Sequence, residues 1–151
     1  MDEKEGVINM NIAIYQYHRS DSKSMEMNQS GEHLILSAVT MCKDKAEELY
    51  GEECNFIQYV DITLDMIPSN YMKGAYVRPE LERLLEDIHL GLIETVIVTY
   101  MGAVASDFNF IIAFYISLCQ HNVKLATVRE GEKINILMEQ ALEEFRKQAG
   151  L

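Results

Sequence analysis

Apolar side chains recur along the chain with two different spacings, and the two alternate from one end to the other. Short runs rich in β-branched residues predict four strands, at 7–17, 54–60, 94–100 and 123–128. Segments with apolar residues three and four positions apart predict four helices, at 32–50, 78–90, 107–120 and 134–148. Pro79 suits the first turn of the second helix, and Gly51 and Gly91 are suited to ending the first two.

This alternation of strands and helices predicts an α/β fold. A helix between successive strands favours parallel crossovers, so we expect three layers: a central, mostly parallel sheet of four or five strands with helices on both faces. The run ETVIVTY at 94–100 is typical of a central strand covered on both sides. The polar segment 19–31 and the aperiodic segment 62–77 predict loops. Ligands of such sheets bind at the carboxyl ends of the strands, so 15–24, 61–77, 100–107 and 129–133 are the candidate segments.

The length and net charge of the chain exclude several classes of protein. With 151 residues, we expect one domain over 1–151, ending in a helix at about 134–149. Thirteen basic against 24 acidic residues give a net charge of −11, which disfavours binding of DNA by this chain alone and binding to anionic membranes. The apolar runs are shorter than the roughly 20 residues of a membrane span. An acidic start without a leader and cysteines without a close pair predict a reduced, cytoplasmic protein.

Metal and cofactor signatures are missing from the sequence. The three cysteines form no CxxC motif, and the four histidines fall on different predicted elements without an i,i+4 pair, so we expect no metal site. No glycine-rich phosphate loop follows the first strand, and we expect no nucleotide cofactor. An unrelated α/β domain for a small ligand remains an alternative, against which the missing loop counts.

A family resemblance is concentrated in residues 78–99, RPELERLLEDIHLGLIETVIVT. This stretch resembles the N-terminal catalytic domain of serine recombinases, the family of resolvases, invertases and large serine integrases. The family shows an Arg-Pro-x-Leu helix start, a Leu-Leu-x-Asp-Ile helix end, a glycine turn and a valine-rich strand at this spacing. Residues 54–61 resemble its second strand, which ends in aromatic-x-Asp, and 125–131 resemble the strand and turn before its long last helix. The resemblance spans about 12–131 and implies a resolvase-like sandwich.

The chemistry that the resemblance implies is phosphoryl transfer, in which a serine attacks a DNA phosphate and arginines stabilise the transition state. The family's first strand reads Tyr-x-Arg-x-Ser. In one register Tyr15 matches the tyrosine, with Tyr17 at the arginine position and Arg19 at the serine position. In the other, Tyr17 and Arg19 match, but Asp21 takes the serine position. Both registers stay open, and the first gives the more regular strand.

Candidate nucleophiles are the hydroxyls beside Asp21, on Ser20 and Ser22. The polar segment around them favours solvated loop hydroxyls over a nucleophile. Asp61 and Arg78 match family positions, although Asp61 could instead be a cap and Arg78 an ordinary residue at a helix start.

The second catalytic segment of the family reads Leu-Asp-Arg-x-x-Arg-Asp, and here 101–107 reads MGAVASD. Both arginines and the first aspartate are replaced. Losing one such contact costs roughly 3 kcal/mol, about a hundredfold in rate. The resemblance therefore implies a vestigial pocket made of Tyr15, Tyr17, Arg19, Ser20, Asp61, Arg78 and Asp107.

These replacements predict a recombinase-like domain that is not an active enzyme. It would act as a binding or regulatory module, or persist as a mobile-element remnant, linked to DNA recombination. The alternative is a divergent but active catalytic subunit that needs a partner chain to bind DNA. The family associates through its last helix and continues into a DNA-binding module; here we expect a shortened helix and no such module. Ile136, Leu137, Ala141 and Leu142 in that helix could pack on the sheet, or on a second copy or a related recombinase chain.

Overall fold

The computed structural model describes residues 10–20, 28–64, 78–105 and 107–150. Strands and helices alternate along these ranges, with a short 3₁₀ turn at Met101–Ala103 after the third strand. The strands are β1 (Met10–Ser20), β2 (Cys54–Leu64), β3 (Thr95–Val98) and β4 (Lys124–Thr127). The helices are α1 (Asn28–Tyr50), α2 (Pro79–His89), α3 (Phe108–Gln120) and α4 (Ile134–Gln148). None of the helices within these ranges is both long and apolar enough to cross a bilayer.

The strands of the described ranges form one four-stranded sheet in the order β2-β1-β3-β4, and all neighbouring strands are parallel. Side chains of β1 alternate between two apolar clusters. Ala13 and Tyr15 pack with α2, α3 and α4, whereas Ile12 and Ile14 pack with α1 on the other face. The predicted three-layer α/β architecture is confirmed.

Local sequence explains α2 well. Pro79 occupies its first turn, where a missing N–H costs nothing, and Leu81, Leu84 and Ile88 place one buried stripe on the sheet. Each of these side chains contributes about 2 kcal/mol through burial. Gly91, just past the helix, has a φ of +78°, which a side chain would strain.

The predicted bounds of the loop at 19–31 are wrong at both ends. β1 continues to pair with β2 as far as Ser20, which lies opposite Leu64, and α1 begins at Asn28 rather than at residue 32. Parallel backbone pairing needs no apolar side chains, so a polar sequence did not signal the extension. Likewise β2 extends beyond residue 60. The predicted strand residues 7–9 and most of the predicted loops, 21–27 and 65–77, lie outside the described residues.

The last helix has the predicted bounds, but only part of the predicted apolar face is buried. Ile134, Met138 and Leu142 face the core. Ile136 is 60% exposed and Leu137 is 49% exposed. These two side chains therefore form an exposed apolar surface on α4.

Candidate active site at the carboxyl edge of the sheet

The strand order reverses between β1 and β3. The chain passes from β1 outward to β2, then crosses β1 to reach β3, with α1 and α2 on opposite faces of the sheet. In open α/β sheets, a crevice for ligands lies outside the carboxyl ends of the strands at such a point. The candidate residues of β1, β2 and the segment after β3 converge on this edge.

Asp61, in the second half of β2, caps the helix that follows it. Its carboxyl oxygens accept the backbone N–H groups of Glu80 and Leu81, each at 2.9 Å. These are early N–H groups of α2, which lack partners within the helix, and the residue preceding the helix, Arg78, gives no side-chain cap. Since Asp61 is only 2% exposed, it supplies both the missing acceptors and a favourable interaction with the helix dipole from a neighbouring strand.

Tyr15 provides the third contact to this carboxyl group. Its hydroxyl donates to Oδ2 of Asp61 at 2.9 Å, and its side chain is 1% exposed. Burial raises the pKa of Tyr15 above its usual value, and the hydrogen bond to Asp61 raises it further, while Arg78 acts in the opposite direction. Tyr15 is therefore a protonated donor that joins β1 to β2.

Arg78, directly before α2, is half-buried and engaged by neighbouring groups. Its Cζ lies 3.7 Å from the ring centroid of Tyr17 and 5.0 Å from that of Phe110 in α3. Its Nη1 donates to the carbonyl of Val104. The guanidinium thus ties the start of α2 to β1, to α3 and to the segment after β3.

That segment, 101–105, packs into the core. Met101, Val104 and Ala105 are 8%, 0% and 5% exposed, and Met101 and Val104 share an apolar cluster with Tyr15. Of the two positions where the family resemblance places arginines, Ala103 is half-buried and Ser106 lies outside the described residues. Asp107 is exposed and caps α3 by accepting the N–H of Asn109 at 3.0 Å.

The structure thus brings together Tyr15, Tyr17, Asp61 and Arg78 among the predicted site residues. Arg19 and Ser20 end β1, but their side chains lie outside the described part, as does the whole of 21–22. Sequence reasoning did not identify Phe110, because an aromatic residue in an apolar helix gives no signal that it will meet an arginine.

Sequence reasoning also missed a cleft beside α1 at the same edge. Its volume is about 610 Å³, and it lies between α1, the end of β1 and the segments that follow β3 and β4. Polar and charged lining residues are Gln16, His18, Ser37, Thr99 and Arg129; the others are Tyr17, Leu34, Ile35, Ala38, Met41, Tyr100, Ala103 and Val128.

Other reactive groups give no support for metal or thiol chemistry. Within the described ranges, no three His, Cys, Asp or Glu side chains are placed to hold a metal ion. Cys42, Cys54 and Cys119 are free thiols, and burial raises the pKa of Cys42 to about 12. A thiol so buried is a core residue rather than a nucleophile.

Solved structures resemble this fold closely over most of the chain. The N-terminal catalytic domain of TP901-1 integrase matches with a TM-score of 0.64 and 17% identity, covering 93% of this chain and 99% of that one. This chain has the fold of a serine recombinase catalytic domain. A resolvase family site-specific recombinase from Streptococcus pneumoniae gives a TM-score of 0.61 at 15% identity, covering 93% of this chain and 90% of the other. The C-terminal catalytic domain of ISC1926 TnpA, an IS607-like serine recombinase, gives 0.55 at 14% identity, with coverages of 79% and 70%.

Sequence comparisons alone do not reach this result. No protein-family model matches the sequence, and no curated protein matches it. The resemblance of residues 78–99 to serine recombinases nevertheless predicted the fold of this serine-recombinase-like domain, and that prediction is confirmed.

Proposed function

We propose that this serine-recombinase-like domain does not transfer DNA strands and acts as a binding or regulatory module linked to DNA recombination. The observation that carries the proposal is the placement of Arg78, whose guanidinium lies on the Tyr17 ring and donates from Nη1 to the Val104 carbonyl. A guanidinium that stabilises a phosphoryl-transfer transition state must present paired N–H groups to phosphate oxygens, and these two contacts hold Arg78 against the fold.

The charge of the surrounding segment supports the same proposal. From Thr99 to Ala105 the chain carries no cation, and the buried side chains there are apolar. The Asp61 carboxyl group already accepts two hydrogen bonds from backbone N–H groups of α2 and a third from the Tyr15 hydroxyl. Along Thr99 to Ala105, developing negative charge at a DNA phosphate would therefore meet no cationic side chain.

A covalent-adduct assay tests the proposal. The full chain is incubated with nicked duplex oligonucleotides of candidate recombination sites, and serine-linked DNA is measured on denaturing gels and by intact mass. We expect no adduct above that of the Ser20→Ala, Ser22→Ala double variant, while an active serine recombinase run on its own site gives one. An adduct that disappears on Ser20→Ala or Ser22→Ala would establish the alternative, a divergent active subunit.

We further propose that the module self-associates, or pairs with a related recombinase chain, through α4. Ile136 and Leu137 are large apolar side chains exposed on adjacent positions of this helix, and removing them from water in an interface would be favourable.

Sedimentation equilibrium tests self-association. We expect a concentration-dependent dimer whose dissociation constant rises at least about tenfold in Ile136→Ser, because the loss of one buried large side chain removes about 1.5–3 kcal/mol. Leu92→Ser, at an exposed leucine between α2 and β3, is the matched control and should leave the equilibrium unchanged. If the protein is monomeric at all concentrations, the proposed homodimer is excluded, and only pairing with a related recombinase chain remains.

A further inference from the structure

The cleft beside α1 has the size and position of a small-molecule site. Its volume of about 610 Å³ falls within the range of ligand pockets. It opens at the carboxyl ends of β1 and β3, where the strand order reverses. Most of its wall belongs to the α1 side of the sheet, away from the contacts among Tyr15, Asp61 and α2.

Gln16 is the most informative residue in the cleft. Its side chain is 8% exposed and lines the cavity, yet within the described part of the chain its amide makes no hydrogen bond. The amide atoms of Gln16 are not among the fully buried, unpartnered polar atoms of the described residues, so a group in the cleft can reach them. The amide can therefore donate a hydrogen bond to a polar group that enters the cleft.

The charge of the cleft differs from that of the whole protein. The chain has 24 acidic residues, yet none of the described residues that line the cleft is Asp or Glu. Arg129 contributes a guanidinium, with its Cζ 4.9 Å from the ring centroid of Tyr100, and His18 lies in the same wall. The local field therefore favours an anion.

The rest of the wall is apolar. Tyr100 is 43% exposed, and Leu34 and Met41 of α1 are 60% and 47% exposed. A ligand that contacted them would bury apolar surface of its own, and the ring of Tyr100 suits a flat one.

We propose that the cleft binds a small organic anion with a planar apolar body. Its acidic group pairs with Arg129 and accepts a hydrogen bond from the Gln16 amide, and its body packs between Tyr100 and the apolar side chains of α1. This inference is independent of the proposed function, because the cleft could bind such a ligand whether or not the domain cleaves DNA.

Fluorescence titration with 8-anilinonaphthalene-1-sulfonate, an aromatic anion, tests the proposal on the full chain. The neutral analogue N-phenyl-1-naphthylamine reports binding driven by apolar contact alone. We expect saturable 1:1 binding of the sulfonate, and at least about tenfold weaker binding of the neutral analogue, because a charge-assisted contact is absent.

Three variants locate the probe. Arg129→Gln should weaken sulfonate binding about tenfold, and the matched Arg146→Gln, at an exposed arginine of α4, should not. Gln16→Leu should also weaken sulfonate binding severalfold, because it removes the amide donor, and should leave the melting temperature nearly unchanged. A merely structural Gln16 would lower the melting temperature on replacement.

Several results would contradict the proposed binding of an organic anion in the cleft. Equal affinity for the two probes, undiminished binding to Arg129→Gln or Gln16→Leu, or no saturable binding would each overturn the proposal. Loss of binding in Leu137→Ser would place the probe on α4 instead, outside the cleft. Displacement of the sulfonate by duplex DNA at equal phosphate concentration would make nucleic acid the occupant and would also overturn it.

Discussion

Replacing Asp61 with alanine is expected to lower the free energy of unfolding by about 3–5 kcal/mol. The change leaves three donors without an acceptor: the buried N–H group of Leu81, the buried hydroxyl of Tyr15 and the partly buried N–H group of Glu80. It also removes a negative charge from the positive end of α2. Urea unfolding followed by circular dichroism measures the loss.

The matched control for this change is Asp107→Ala. Asp107 also caps a helix, but it is exposed and accepts one N–H, from Asn109. Its removal should cost only about 1 kcal/mol. If the two alanine variants lost the same stability, Asp61 would not be a buried junction between β1, β2 and α2, and its role as a pocket residue would regain support.

Arg78→Gln is expected to cost about 2–3 kcal/mol of stability. The substitution removes the stacking on Tyr17, with its 3.7 Å separation, and leaves the carbonyl of fully buried Val104 without its donor. Arg78→Lys should recover less than half of the loss, since an ammonium group has no planar face to lie on the ring. The same urea titration applies.

Arg146→Gln serves as the control for Arg78. Arg146 is exposed on α4, and removing one exposed charge should change stability by no more than about 0.5 kcal/mol. An Arg78→Gln protein as stable as Arg146→Gln would show that the Arg78 guanidinium is not needed for the fold and is free to serve a ligand.

Much of the fold could be predicted because its elements follow local patterns. The predicted last helix, 134–148, has the bounds of α4, and the apolar run at 94–100 contains central strand β3. Residues 19–20 could not be placed in the same way. Their strand conformation comes from pairing with Thr63 and Leu64. Pairing between distant segments produces no periodic pattern of apolar residues in the sequence.

The site was predictable only in part, for the same reason. Sequence reasoning identified Asp61 and Arg78 as positions of interest and offered a cap as the alternative role of Asp61. It did not show which helix Asp61 would cap, or that Arg78 would lie between Tyr17 and Phe110. Those roles depend on which side chains meet across the sheet. The cleft residue Gln16 was equally invisible, because a polar residue in a strand normally indicates an exposed face.

Nuclear magnetic resonance of the Arg78 side chain tests most directly whether Arg78 serves the fold rather than a phosphate ligand. With Arg78→Gln to assign the signals, we expect separate, slowly exchanging Nη resonances and close contacts to the Tyr17 ring, because the guanidinium is held by Val104 and that ring. Adding dimethyl phosphate, a minimal phosphodiester, should leave these signals unchanged. Averaged Nη resonances that shift saturably with dimethyl phosphate would contradict this role and identify a working phosphate site.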